Sequence, residues 1–205
     1  MNRAAKTSAV ALLVLGVVSL AGCSSKSAPA PTAQPVATAP APAPAPPKKV
    51  SLYLTILTGE QIGKKEGPTF VPGSFNVPAD TDVEVTIRNY DDGPADIPVG
   101  DEKVQGTIGG TMTVISELTG DVDKAAGKSL TELDPKAVAH TLTINENGFN
   151  LNVPIPPSST VKFTFHSPKA GTYSLRCLSA CGIGPSGTEG SMAMDGWMRG
   201  TMTVN

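Results

Sequence analysis

Only two histidines, His140 and His166, stand in the 205 residues, with three cysteines and one tryptophan. Any histidine-based metal or catalytic site is therefore confined to two positions. Charge is sparse and nearly balanced, with 16 Lys and Arg against 18 Asp and Glu. There is no basic stripe, which argues against a nucleic-acid partner. The chain also lacks H-E-x-x-H, G-x-S-x-G and a phosphate-binding loop, and neither histidine has a nucleophile near it in sequence. These absences argue against an enzyme. The acidic pairs Asp91-Asp92 and Asp101-Glu102 lie in loop-like sequence and read as a solvated face. Helical periodicity is weak throughout.

What is present begins with an address. Arg3 and Lys6 precede an apolar run over 9–20, and Leu20-Ala21-Gly22-Cys23 closes it with small residues before a cysteine. The apolar run is too short for a comfortable membrane span and reads as a signal peptide over 1–22. Leu-Ala-Gly-Cys resembles a bacterial lipobox. That resemblance implies lipidation of Cys23 and a place in the cell envelope, on the extracytoplasmic face of a bacterial membrane, with membrane lipid as the first partner. An ordinary signal peptide followed by a chance cysteine is the plainer alternative. Loss of 1–22 removes two positive charges and no acid, taking the net charge from −2 to −4.

Residues 23–47 are mostly Ala and Pro, with strict Ala-Pro alternation over 39–46. Proline blocks regular backbone pairing, so this stretch is expected to be a disordered, extended tether. It could reach roughly 70 Å from a bilayer at about 3.1 Å per residue. The rest, 48–205, is long enough for one domain with its own core.

In that domain, strands are expected over 50–57, 82–88, 140–144, 151–153, 160–166, 171–177 and 200–204. Val50, Leu52, Leu54 and Ile56 alternate, as do Val83, Val85 and Ile87. Turn clusters such as Val71-Pro72-Gly73 and Pro154-Ile155-Pro156-Pro157 separate the runs. Short alternating strands with such punctuation predict an all-β, antiparallel sandwich. Residues 91–136 fit this pattern less well. They read as a long insertion, with one strand over 111–115 and a short helix near 122–128.

Parity along the strands selects candidate site residues, because side chains alternate across a strand. Val138, His140, Leu142 and Ile144 share a face, which turns His140 inward. Tyr173, Leu175 and Cys177 share another inward face, and Met198 opens the last strand. Val161, Phe163 and Phe165 point inward in the run that ends at His166, so His166 faces out and reads as a surface residue. Imidazole, thiolate and thioether thus come to strand ends. There rigid strands hold ligands and loops close over a soft metal such as copper.

This order of residues resembles the cupredoxins, and within them the soluble copper domain of cytochrome c oxidase subunit II. That group carries a histidine at a strand start, then C-x-x-x-C-G-x-x-H-x-x-M leading into the last strand. His140, Cys177, Cys181, Gly182 and Met198 match, as does the Gly-Thr-Tyr lead toward Cys177. The resemblance covers about 69–205. It implies a cupredoxin-like Greek-key sandwich, a copper cofactor, and a respiratory redox protein or a copper-handling protein as partner. One ligand does not match. Where the second histidine is expected, the chain has Pro185 counted from Cys181 and Asp195 counted back from Met198. About ten extra residues separate the two halves. The standard two-histidine dinuclear centre and the standard single-copper centre are therefore both excluded. The implied ligands are His140, Cys177, Cys181 and Met198. Asp195, Met192 or Met194 would stand in for the histidine, and the backbone carbonyl of Ser179 would be a further donor.

Two uses follow, electron transfer or Cu(I) carriage. An alternative keeps the fold without a metal, as a binding module in which Cys177 and Cys181 form a disulfide. Zinc fits less well, since methionine is a poor zinc ligand.

Overall fold

The computed structural model describes residues 48–116 and 126–205. The expected signal peptide and tether, Cys23 among them, and residues 117–125 lie outside the described residues.

Eleven strands form two sheets among the described residues. They are β1 (Lys49–Leu57), β2 (Thr69–Val71), β3 (Phe75–Val77), β4 (Asp82–Asn89), β5 (Met112–Ile115), β6 (Lys128–Leu130), β7 (His140–Glu146), β8 (Phe149–Ile155), β9 (Ser159–His166), β10 (Gly171–Arg176) and β11 (Arg199–Val204). One sheet has the order β2-β1-β4-β9-β5-β6 and the other β3-β11-β10-β7-β8. The alternation in the sequence explains the layering. Val83, Val85 and Ile87 of β4 and Val161, Phe163 and Phe165 of β9 meet Leu142, Ile144, Leu151, Val153 and Leu175 of the other sheet in one core. Each fully buried side chain of this size contributes roughly 1.5–3 kcal/mol.

The all-β sandwich expected from the sequence is present. Its sheets are mixed, however, not purely antiparallel. β1 pairs parallel with β4 over Lys49↔Asp82 to Ile56↔Asn89, and β11 pairs parallel with β3. Parallel neighbours need a crossover connection. Here β2 folds back on β1 and β3 joins the opposite sheet before β4 returns.

The insertion at 91–136 is also more ordered than the sequence suggested. β5 and β6 extend the first sheet beyond β9. The expected short helix is not found where it can be described: residues 122–125 are outside the described set, and Lys128 opens β6. A further stretch of the insertion lies over the second sheet. Gln105 and Asn152 exchange backbone hydrogen bonds at 2.8 and 3.0 Å, and the Asn152 amide donates to the carbonyls of Asp101 and Lys103. This cover buries the face of β7 that parity had assigned outward. Thr141 and Thr143 are consequently buried along with His140 and Leu142.

Candidate metal centre

His140 opens β7 and is fully buried, and Cys177 follows the last residue of β10 and is 2 % exposed. Cys177 is pinned to the last strand, because its backbone N–H donates to the carbonyl of Met198 at 2.8 Å. Its sulfur stands 4.0 Å from His140 Nδ1 and 3.5 Å from Cys181 Sγ. The three donor atoms all lie within 4.8 Å of one another. Ligands around a tetrahedral ion with metal–sulfur bonds near 2.3 Å sit roughly 3.5–3.8 Å apart. The spacing therefore fits a soft metal ion with little rearrangement. Both cysteines are free thiols, and 3.5 Å is far longer than the ~2.05 Å of a disulfide bond.

The loop after Cys181 supplies a third sulfur. Met192 Sδ lies 3.3 Å from Cys181 Sγ. This loop folds back on itself through paired backbone bonds between Ile183 and Glu189, both 3.1 Å, and is tied to the 60s turn by Ser191 N–H donating to the Glu66 carbonyl at 2.8 Å. Gly190 has a φ of +62°, and a Cβ there would stand 2.4 Å from the Glu66 carbonyl oxygen. Only glycine allows that approach. The ten residues that separate the halves of the motif are therefore the means of delivering Met192.

Met198 is fully buried immediately before β11, with its backbone bonded to Cys177 and Ser191. The Ser179 carbonyl lies 3.9 Å from Cys177 Sγ. Of the three residues suggested in place of the missing histidine, two point away. Asp195 has a side chain 84 % exposed and pairs with Arg199 Nε at 3.4 Å, one turn of loop further on. It lines an open groove of about 1030 Å³ that Cys177 and Met192 also line. The carboxylate gains more from water and a guanidinium than from a buried thiolate, so Asp195 does not take the place expected for the missing histidine. Met194 is likewise exposed.

Two residues that sequence reasoning did not assign complete the surroundings. Thr141 donates its backbone N–H to Cys177 Sγ at 3.4 Å, and its hydroxyl accepts from Leu178 N–H at 2.9 Å. Asp91, read above as part of a solvated face, instead places Oδ2 3.1 Å from His140 Nε2, close but without hydrogen-bond alignment. The signal that could have found Asp91 is its position just past β4, since the segment that follows it bonds Ala95 N–H to the Val138 carbonyl beside the start of β7.

Electrostatics follow from this packing. Burial works against a charged His140, yet the neighbouring Asp91 carboxylate and Cys177 sulfur outweigh it and raise its pKa to about 9. Burial also opposes a Cys177 thiolate, but contacts with Cys181 and His140 hold the thiol well below its ordinary value. Cys181, sharing its hydrogen bond with that thiolate, is pushed up. Asp91 is lowered, first by its contact with His140. The packing thus favours a thiolate paired with an imidazolium, with the second cysteine kept as a thiol. A metal cation would replace both protons.

His166 is remote from this site. It lies at the other end of β4 and β9, with Nδ1 2.9 Å from Asp82 Oδ1 and Nε2 3.0 Å from Asp80 Oδ1. It is half exposed, as parity indicated.

No protein-family model matches the chain, and no curated protein does. Several solved structures are similar to it. One is auracyanin A, a "blue" copper protein from the green thermophilic photosynthetic bacterium Chloroflexus aurantiacus, at 13% identity and a TM-score of 0.38 over 77% of this chain and 99% of that one. Another is reduced rusticyanin, at 15% identity and a TM-score of 0.34 over 77% and 80%. A chain of a heme-copper terminal oxidase dimer has 14% identity and a TM-score of 0.31 over 65% and 51%. Similarity at this level assigns no function, and the functional reading rests on the residues of the site.

Proposed function

We propose that this chain is a cupredoxin-like copper-binding protein, a carrier rather than a catalyst, held at the extracytoplasmic face of a membrane through a lipid on Cys23. The observation that carries the copper reading is the buried cluster of His140 Nδ1, Cys177 Sγ and Cys181 Sγ, with Met192 Sδ 3.3 Å from the second thiol. Imidazole, thiolate and thioether together favour Cu(I) over harder ions. The bound ion would supply Lewis acidity and a one-electron couple. The protein's part is to hold the donors, keep Cys177 deprotonated and exclude water from one side.

Three sulfurs and one nitrogen support Cu(I) carriage as the main use. Electron transfer is the second reading, and it is supported by the direct backbone bond between Cys177 and Met198, which gives a buried thiolate a short path to the last strand. A respiratory redox protein or a copper-handling protein is the corresponding partner.

Metal analysis and absorption spectra of the purified, reduced chain test this. One tightly held Cu(I) per chain is expected. The Cys177→Ser, Cys181→Ser double variant should hold none, and Met192→Leu should bind about tenfold or more weakly, while Met194→Leu should leave affinity unchanged. Stoichiometric copper in the double variant refutes the reading. A wild-type chain that takes up no copper would favour the metal-free binding module. Strong colour in the oxidised, copper-loaded chain would favour electron transfer over carriage.

A further inference from the structure

Asp91 is held in place to an unusual degree for a loop residue. Its N–H donates to Asn89 Oδ1 at 3.0 Å, and its carbonyl accepts from Ser158 N–H at 2.9 Å. Asn89 is itself fully buried, and its amide donates to the Pro156 carbonyl at 2.9 Å. One carboxylate oxygen, Oδ1, accepts from Gly93 N–H at 3.4 Å. That leaves Oδ2 turned to His140 Nε2 at 3.1 Å. This nitrogen is buried and has no hydrogen-bond partner as the groups stand, while the opposite ring nitrogen faces Cys177. A buried ring nitrogen left without a partner is unfavourable, and the Asp91 carboxylate is an acceptor within reach of its N–H.

We infer that Asp91 is the positioning residue of the metal centre: its carboxylate takes the Nε2–H of His140, fixes the ring, and presents Nδ1 to the sulfurs of Cys177 and Cys181. This rests on the copper reading only for its consequence, not for its geometry. Metal-bound histidines commonly give their other N–H to a carboxylate or carbonyl, which sets the tautomer and strengthens the ring as a donor. The negative charge also offsets part of the charge that a bound cation brings into a buried place. The inference ties the start of the insertion to the site, since the segment that follows Asp91 bonds Ala95 to Val138 and Asp96 to Ala180, on either side of the centre.

The test compares Asp91→Asn and Asp91→Ala with the wild type by two measurements. Asparagine keeps the shape and the oxygen that meets Gly93, so a purely structural role survives in it. The first measurement is the ring N–H signal of His140 by ¹H–¹⁵N NMR in the metal-free protein. The wild type is expected to show a low-field, slowly exchanging Nε2–H, and both variants should lose that character. The second is Cu(I) affinity by competition with a chromophoric chelator, where each variant should bind about 10- to 100-fold more weakly. Retention of the wild-type ring signal in both variants overturns the inference, whatever the metal does. Wild-type Cu(I) affinity in both variants, within about twofold, overturns it as well. A wild type that binds no copper, with the ring signal lost in both variants, refutes the copper reading and leaves the positioning of the ring by Asp91 supported.

Discussion

The proton content of the His140–Cys177 pair makes an unusual prediction for stability against pH in the metal-free, reduced protein. In the folded chain His140 keeps its proton up to about 9, against about 6.5 in the unfolded chain. A raised folded pKa gives stability that is full below about 6.5 and lost as pH rises toward 9. Cys177 runs the other way. Its folded pKa lies well below the ordinary thiol value, so its contribution is full above about 8.5 and lost as pH falls through the folded value. Between about 6.5 and 8.5, and above the folded Cys177 value, the ring holds one proton more than in the unfolded state and the thiol one fewer. The two differences cancel, and stability should be flat in that window. Above it stability falls, because Cys181 stays protonated when folded and ionises when unfolded. Removing the thiol takes away that compensation and also one of the two groups that raise the ring's pKa, so the ring's own window narrows from its upper end. In Cys177→Ser, stability should fall as pH rises above about 6.5, at up to about 1.4 kcal/mol per pH unit while Asp91 alone still holds the proton on the ring. His166 titrates nearby, since Asp82 and Asp80 raise its pKa. The comparison therefore belongs in a His166→Asn background. Urea unfolding at pH 6.5, 7.5 and 8.5 with chelator and reductant reads the slopes. A slope near 1 kcal/mol per pH unit with the thiol present, or a flat line for Cys177→Ser, refutes the ion-pair account.

Two other outcomes are expected. Asn89→Ala strips the acceptor from Asp91 N–H and one donor from the Pro156 carbonyl, which keeps Ser159 Oγ at 2.7 Å. It should cost about 2–4 kcal/mol in urea unfolding, and Ser159→Ala no more than about 1.5 kcal/mol; the reverse order would contradict the clamp on Asp91. Cys23→Ser should move the full chain from the membrane fraction to the soluble fraction or leave it unprocessed, and normal processing with unchanged membrane retention would end the lipid-anchor proposal.

Much of the centre was legible from alternation alone. Strands with period two fixed which way His140 and Cys177 point, because a face buried against a core cannot slip by one residue without exposing Leu142 or Leu175. The outward turn of His166 followed from the same rule. Alternation is silent where the chain leaves the strands. Thr141 lies on the face that parity gave to solvent, and only the cover by 101–105 makes that face interior. Asp195 stands at the right count from Met198, yet its charge turns it outward to Arg199. Met192, three residues earlier, reaches Cys181 because the glycine loop doubles back against the 60s turn. Asp91 and His140 are 49 residues apart in the chain, and they stand 3.1 Å apart because the segment after β4 bonds Ala95 N–H to the Val138 carbonyl beside the start of β7. The sequence by itself thus determined an all-β chain and three inward donors, since local periodicity encodes which side of a strand is buried. Tertiary structure alone decided the third sulfur and the carboxylate behind the histidine, since both depend on where loops of no regular period come to rest.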